Sequence, residues 1–282
     1  RGKRGACGLD MSSQQSRIFL LAASMGAATH TGHARHLVEH LINKYGTDFP
    51  LDVGRSVGVE VEAPLIRLVC GVRPKTLGDL EHVLGYLESQ ITHLLAATST
   101  GQEGNALDFE SKVFHAGMLD LVGMEVADIA QISAFGLPKA DPEAPLAEIG
   151  TGTVDLTKPT ILVIGHNVPS AVEIIDHLDK TGLNDKVEVT GICCTAHDLT
   201  RYNPKAKIIG PISWQLRYIR SGIPDVIVVD EQCIRSDVLV EAQKTRTPVI
   251  ASSEKNCLGL RNRTDHEVEE IVADLVSGKD PG

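Results

Sequence analysis

The chain has 282 residues, 42% hydrophobic and 23% charged, with a net charge of −10, a profile that suits globular material long enough for two ordinary domains. The acidic balance argues against a nucleic-acid binder, and an aromatic content of 4% argues against a base-stacking platform. The longest apolar stretch, IFLLAASMGAA at 18–28, is too short for a membrane span. No secretion leader opens the chain, so the six cysteines read as metal or redox chemistry in a cytoplasmic protein, not as a disulfide framework.

The chain opens on RGKRGACG without an initial Met, which reads as an internal fragment or a processed chain. A first helix is predicted over 14–45 and ends at Gly46. Its apolar positions Ile18, Leu21, Ala22, Met25 and Ala28 fall at helical spacing. Residues 46–75 are turn-rich and give no single assignment. Further helices are predicted over about 77–98 and 103–133. The segment 136–158 holds three prolines and three glycines and reads as a linker. After residue 158 the period changes. Short β-branched runs at 160–166, 187–193, 207–210, 225–230 and 247–251 alternate with short amphipathic helices, the signature of a parallel sheet. The expected fold is therefore α/β: an N-terminal helical domain, 1–155, followed by a Rossmann-like doubly wound parallel sheet, 156–282.

His166, Cys194 and Cys233 sit at the ends of three of those strands, in GH, GICC and VVDEQC. In an open parallel sheet the C-terminal strand ends share one ligand-binding crevice. One imidazole and two thiols, distant in sequence, are thus expected to converge there. Soft sulfur with imidazole suits zinc, nickel or an iron–sulfur centre better than magnesium or calcium. The ligands do not follow a compact zinc motif, whose pairs stand about two to four residues apart. Cys193 and Cys194 are adjacent, so on an extended backbone only one faces the crevice. Cys257 follows the last strand as a further thiol, and Cys70 in IRLVCGV reads as core. No dinucleotide or Walker fingerprint is present.

His30, His33, His36 and His40 lie on one helix, within an arc of roughly 120°. A row of imidazoles can relay protons between a buried site and solvent. It can equally be a polar face or a chelating pair. His115 and Asp120, in FHAGMLD, read as a solvated helix edge.

At GHNVPSA, GICCTAHDLTRYN and VVDEQCI the chain resembles the nickel–iron–sulfur carbon monoxide dehydrogenases, and among them the alpha-subunit branch of the archaeal acetyl-CoA decarbonylase/synthase complexes. The likeness runs from RGACG to the last strand. It implies that His166, Cys194 and Cys233 bind the active-site Ni–Fe–S cluster, with Cys193 a near neighbour. It also implies that Cys7 is a ligand of a [4Fe-4S] electron-transfer cluster. His30, His33 and His36 would carry protons, with His40 off the regular step.

The implied reaction is the reversible oxidation of CO with water to CO2, two protons and two electrons, serving acetyl-CoA cleavage or synthesis. The implied partners are a ferredoxin-type electron carrier, the other subunits of the complex and a second copy of the full-length subunit as a homodimer. The family uses further cysteines before Cys7 and beyond the VVDEQC region, and none of these falls in this chain. The chain alone is therefore expected not to oxidise CO. Two rival readings accompany the resemblance: a nickel-free hybrid-cluster protein of the hydroxylamine reductase type, and a non-catalytic interaction module. The CC pair and the histidine helix weigh against the first.

Overall fold

The computed structural model describes residues 2–53, 59, 64–100, 104–135, 146–166, 168–230, 232–253, 256–267, 270, 271 and 274. The chain divides into two compact units, Arg1–Asp141 and Pro142–Gly282.

The first unit is built on three long helices: α1 (Met11–Tyr45), α2 (Leu77–Thr100) and α3 (Ala106–Phe135). Asp10 caps α1 by accepting a bond from the Ser13 N–H at 2.8 Å, and Gly46 ends it with φ 87°. The face of α1 that packs inward is not the stripe singled out by apolar spacing. Ile18 and Met25 are 63% and 58% exposed, whereas Ser13, Ser16, Leu20, Ser24, Ala27, Thr31, Leu37 and Leu41 are buried. The reason is close helix packing. Small residues let α1 and α3 approach, and at the contact a Cβ on Gly123 would lie 3.3 Å from Thr31 Oγ1. Hydrophobicity alone ranks serine and alanine low, so a period search selects the wrong face. Gly123→Val is expected to overpack this contact and cost the helical unit about 1–3 kcal/mol, read as a lower thermal midpoint.

Between α1 and α2 the ambiguous region contains a π-helical turn, Ile66–Cys70. Glu125 of α3 anchors it by accepting from the Leu65 and Ile66 N–H groups at 2.9 and 2.6 Å. Burial, assisted by the Glu125 charge, pushes the Cys70 thiol up to about 11, which makes it an inert thiol at neutral pH.

The second unit is a six-stranded sheet: β1 (Glu148–Ile149), β2 (Thr160–Ile164), β3 (Glu188–Ile192), β4 (Lys207–Gly210), β5 (Val226–Val229) and β6 (Val249–Ala251). The order is β1-β4-β3-β2-β5-β6 and every pairing is parallel. Helices α4 (Pro169–Lys180), α5 (Cys194–Tyr202), α6 (Gln215–Arg220) and α7 (Val238–Thr245) lie between successive strands. Leu162, Ile164, Ile192, Ile227 and Val229 are fully buried in the core beside Ile219 and Val238. Continuous apolar strands are what a sheet covered on both faces requires.

The doubly wound parallel sheet expected from the period change is present, after a helical N-terminal region. β1 differs from expectation. It lies inside the segment read as linker, pairs with β4, and is secured by the Gly150 N–H donating to Ile208 O at 2.7 Å. Residues 148–155, grouped with the helical domain in the sequence, thus join the sheet unit. The first part of that linker, 136–145, lies outside the described residues.

Candidate metal centre

The strand order reverses between β2 and β5, because the chain winds outward through β3 and β4 and returns to the other side of β2. Loops leaving the carboxyl ends of β2 and β5 therefore part at this point and open a crevice. His166 follows β2 by two residues, Cys193 directly follows β3, and Cys233 lies in the turn after β5. His166 Nδ1 is 3.2 Å from Cys233 Sγ and 4.0 Å from Cys193 Sγ, and the three donor atoms all lie within 4.8 Å of one another.

A buried carboxylate builds this corner. Asp230, at the end of β5, accepts from the His166 N–H at 2.5 Å and from the Gln232 N–H at 2.8 Å. It thereby ties the β2 loop to the β5 loop. Gly165 has φ 143°, and a Cβ there would collide with the Asp230 carboxylate, so only glycine fits. The buried Gln215 of α6 completes the frame. Its amide donates to Cys233 O at 2.6 Å, and its Oε1 accepts from the Arg235 N–H at 3.1 Å. Within this frame both converging thiols have left-handed backbone, with φ 75° at Cys193 and 61° at Cys233. Such conformations cost a non-glycine residue on the order of 1–3 kcal/mol and concentrate at functional sites.

The electrostatics favour a charged donor set. The Cys193 thiol is held well below the ordinary thiol range by hydrogen bonds from Cys194, then Cys233, and these outweigh burial. The Cys233 thiol is pushed up, first by its bond to the Cys193 sulfur and then by burial. His166 is raised above the usual imidazole range, chiefly by Cys193 and against burial, with Asp230 and Asp198 adding to the effect. Both directions favour a Cys193 thiolate beside a proton on His166 over the neutral pair. A soft cation can replace that proton. Imidazole and thiol donors on a strained, hydrogen-bonded frame fit a soft-metal centre.

The structure brings His166 and Cys233 together as the strand ends suggested. The third donor in their group is Cys193, which the family resemblance implied to be a near neighbour and which the residue reading had left open against Cys194. Cys194 is the exposed first residue of α5 and touches the group through its bond to Cys193. Cys257 is exposed and outside the group. Cys7 occupies a separate turn in the helical unit, closed by the Arg4–Asp10 bridge and by the Gly8 N–H donating to Gly5 O at 2.9 Å.

Of the histidine row, His33 is buried, His30 and His36 are half-buried and His40 is exposed. His30 Nδ1 is 2.5 Å from Asp120 Oδ1 of α3, so Asp120 is not the bare solvated edge expected of it. His115 bonds to Gln90 Oε1 at 3.2 Å. Sequence reasoning missed Asp230, Gln215 and the Asp120 pairing. For Asp230 the usable signal was an acidic residue ending an apolar strand opposite a strand-end glycine. No comparable signal marks Gln215.

A doubly wound sheet with imidazole and thiol donors at its switch point makes this an α/β protein with a candidate soft-metal site. Residues 60–277 match the profile of the Prismane/CO dehydrogenase family, and the chain belongs to that family. It is 56% identical over 281 residues to the acetyl-CoA decarbonylase/synthase complex subunit alpha of Methanothermobacter thermautotrophicus, covering 100% of this chain and 36% of that one. The corresponding subunit of Methanocaldococcus jannaschii is 53% identical over 279 residues, covering 99% and 36%. The chain therefore spans about a third of the length of these curated relatives. Among solved structures, a Ni-free carbon monoxide dehydrogenase from Thermococcus sp. AM4 aligns with a TM-score of 0.69 at 20% identity, covering 99% of this chain and 51% of that one. Carbon monoxide dehydrogenase IV from Carboxydothermus hydrogenoformans aligns at 0.68 and 18%, covering 90% and 46%. These two likenesses carry the fold.

Proposed function

We propose that this chain is the part of a cytoplasmic carbon monoxide dehydrogenase component that contributes His166, Cys194 and Cys233 to a Ni–Fe–S active-site cluster. The observation that carries the reading is the convergence of His166, Cys233 and the Cys193–Cys194 turn at the switch point of the sheet. When bound, the cluster supplies the redox-active, Lewis-acidic metals at which CO and water are converted reversibly to CO2, two protons and two electrons. Cys194 is the thiol on the outer, exposed side of the group, at the first turn of α5. Asp230 and Gln215 hold the His166 and Cys233 backbones in place. His30, His33 and His36 take and pass protons, and Cys7 contributes to a [4Fe-4S] cluster that passes electrons to a ferredoxin-type carrier. The physiological partners on this reading are the other subunits of an acetyl-CoA decarbonylase/synthase complex and a second copy of the full-length subunit. Among the described residues no helix is long and apolar enough to cross a membrane.

The test uses the protein in its full reading frame, produced anaerobically with iron, sulfide and nickel. It is expected to contain nickel and to reduce a viologen dye with CO. Cys194→Ala and Cys233→Ala should each lower bound nickel and rate by at least about tenfold. Iron without nickel and no CO oxidation would favour the hybrid-cluster reading. Unchanged metal content in both variants would favour an interaction module. The 282-residue chain, reconstituted alone, is expected to show no CO oxidation, and detection of it would overturn that expectation.

A further inference from the structure

The proposed cluster uses Cys194, yet the thiol that converges with His166 and Cys233 is Cys193. Two different donor sets therefore share one crevice. Bonds of about 2.3 Å to sulfur and about 2.0–2.1 Å to imidazole, at tetrahedral angles, place donor atoms roughly 3.6–3.8 Å apart. His166 Nδ1 stands 3.2 Å from Cys233 Sγ and 4.0 Å from Cys193 Sγ, with no separation in the group above 4.8 Å. Side-chain shifts of no more than about 1 Å would bring all three onto one ion. The backbone is a second, independent observation. Cys193 has φ 75° and ψ −157°, and Cys233 has φ 61°, so both sulfurs of this set are aimed by conformations that L residues rarely adopt. Cys194 begins an ordinary helix and shows no such strain.

We infer that the metal-free chain holds a single soft divalent cation, with zinc as the test case, on His166 Nδ1, Cys193 Sγ and Cys233 Sγ. The inference rests on the reading of this crevice as a metal centre. It adds a mononuclear site in which the adjacent cysteines divide two tasks. Cys193 serves the lone ion, and Cys194 serves the cluster. Three protein donors leave a fourth position open to water, so the ion is exchangeable and not sealed in a structural site.

The chain, stripped of metal and kept reduced under anaerobic conditions, is titrated with zinc against a chromophoric chelator. A parallel titration with cobalt(II) reads thiolate ligation from its charge-transfer absorption. One equivalent is expected to bind. Cys193→Ser and Cys233→Ser should weaken binding at least about tenfold, whereas Cys194→Ser should stay within about threefold of the parent chain. Absence of one-equivalent binding would overturn the inference, as would loss of the site in Cys194→Ser but not in Cys193→Ser. If Cys193→Ser fails to fold by circular dichroism, the Cys194→Ser/Cys257→Ser double variant, which keeps Cys193 and Cys233, decides instead. Retained cobalt–thiolate absorption then supports the site and its loss removes it. Nickel and iron loading of the full reading-frame protein tests the parent reading separately. Cluster formation without one-equivalent zinc binding sinks only this inference, and zinc binding without cluster formation sinks only the parent reading.

Discussion

Replacing Asp230 with alanine is expected to cost the sheet unit about 3–5 kcal/mol and to abolish metal binding in the crevice. The carboxylate is buried and accepts from two backbone N–H groups, one on each side of the switch point. Truncation leaves both donors without their acceptor, at about 1–3 kcal/mol each, and frees the His166 and Cys233 loops from one another. Trp214 is the sole tryptophan, packed under the Arg217 guanidinium between β4 and α6, so its fluorescence reports this unit in a urea titration. Asp230→Asn keeps the shape and one acceptor oxygen but turns an amide donor toward the other N–H, and it should fall between the parent and the alanine variant. Gly165→Ala should also be strongly destabilising, because its Cβ meets the same carboxylate. Combined with Asp230→Ala the clash disappears, so the double variant should lose less than the two single losses added together. Strict additivity, or an unchanged midpoint for Asp230→Ala, would remove Asp230 from its place as the pin of the site.

The elements with strong periods were legible in the sequence. The switch from helical spacing to alternating β-branched runs after residue 158 marked β2 to β6 closely, and the three long helices lay within a few residues of their observed ends. β1 was not legible, because two residues in a proline- and glycine-rich stretch become a strand only when β4 is there to pair with them. The buried face of α1 was misread for a related reason. Its serines and alanines become core only in the presence of α3 at close range.

At the site, strand ends plus residue chemistry were enough to nominate His166 and Cys233. The choice between Cys193 and Cys194 turns on a positive φ at Cys193, imposed by the turn from β3 into α5 and invisible to an argument from extended-strand alternation. Asp230 passed unnoticed because its partners are backbone N–H groups, which carry no residue signature. His30 and Asp120 lie 90 positions apart and meet only through the packing of α1 on α3.

That last pairing carries a second large effect. In the full reading-frame protein, Asp120→Asn is expected to lower the rate of CO oxidation by about 10²–10⁴-fold while leaving nickel and iron content unchanged, if the histidine row moves protons as proposed. Asp120 Oδ1 sits 2.5 Å from His30 Nδ1, so a carboxylate there keeps the proton on Nδ1 and leaves Nε2 to accept the next one. The asparagine can present an amide N–H instead, which favours the opposite tautomer and breaks the order of the relay at its first imidazole. A purely structural role predicts something different. The pair is about a third exposed, with side-chain accessibilities of 28% and 32%, and such ion pairs contribute about 0–1 kcal/mol. Loss of a structural pair would shift the thermal midpoint slightly and leave the rate alone. The relay predicts the reverse: a small change in stability, a fall in kcat with KM for CO little altered, and partial rescue by imidazole buffer acting as a diffusible base. A rate within about threefold of the parent at every pH would show that His30 and Asp120 form a packing contact and that protons leave by another route.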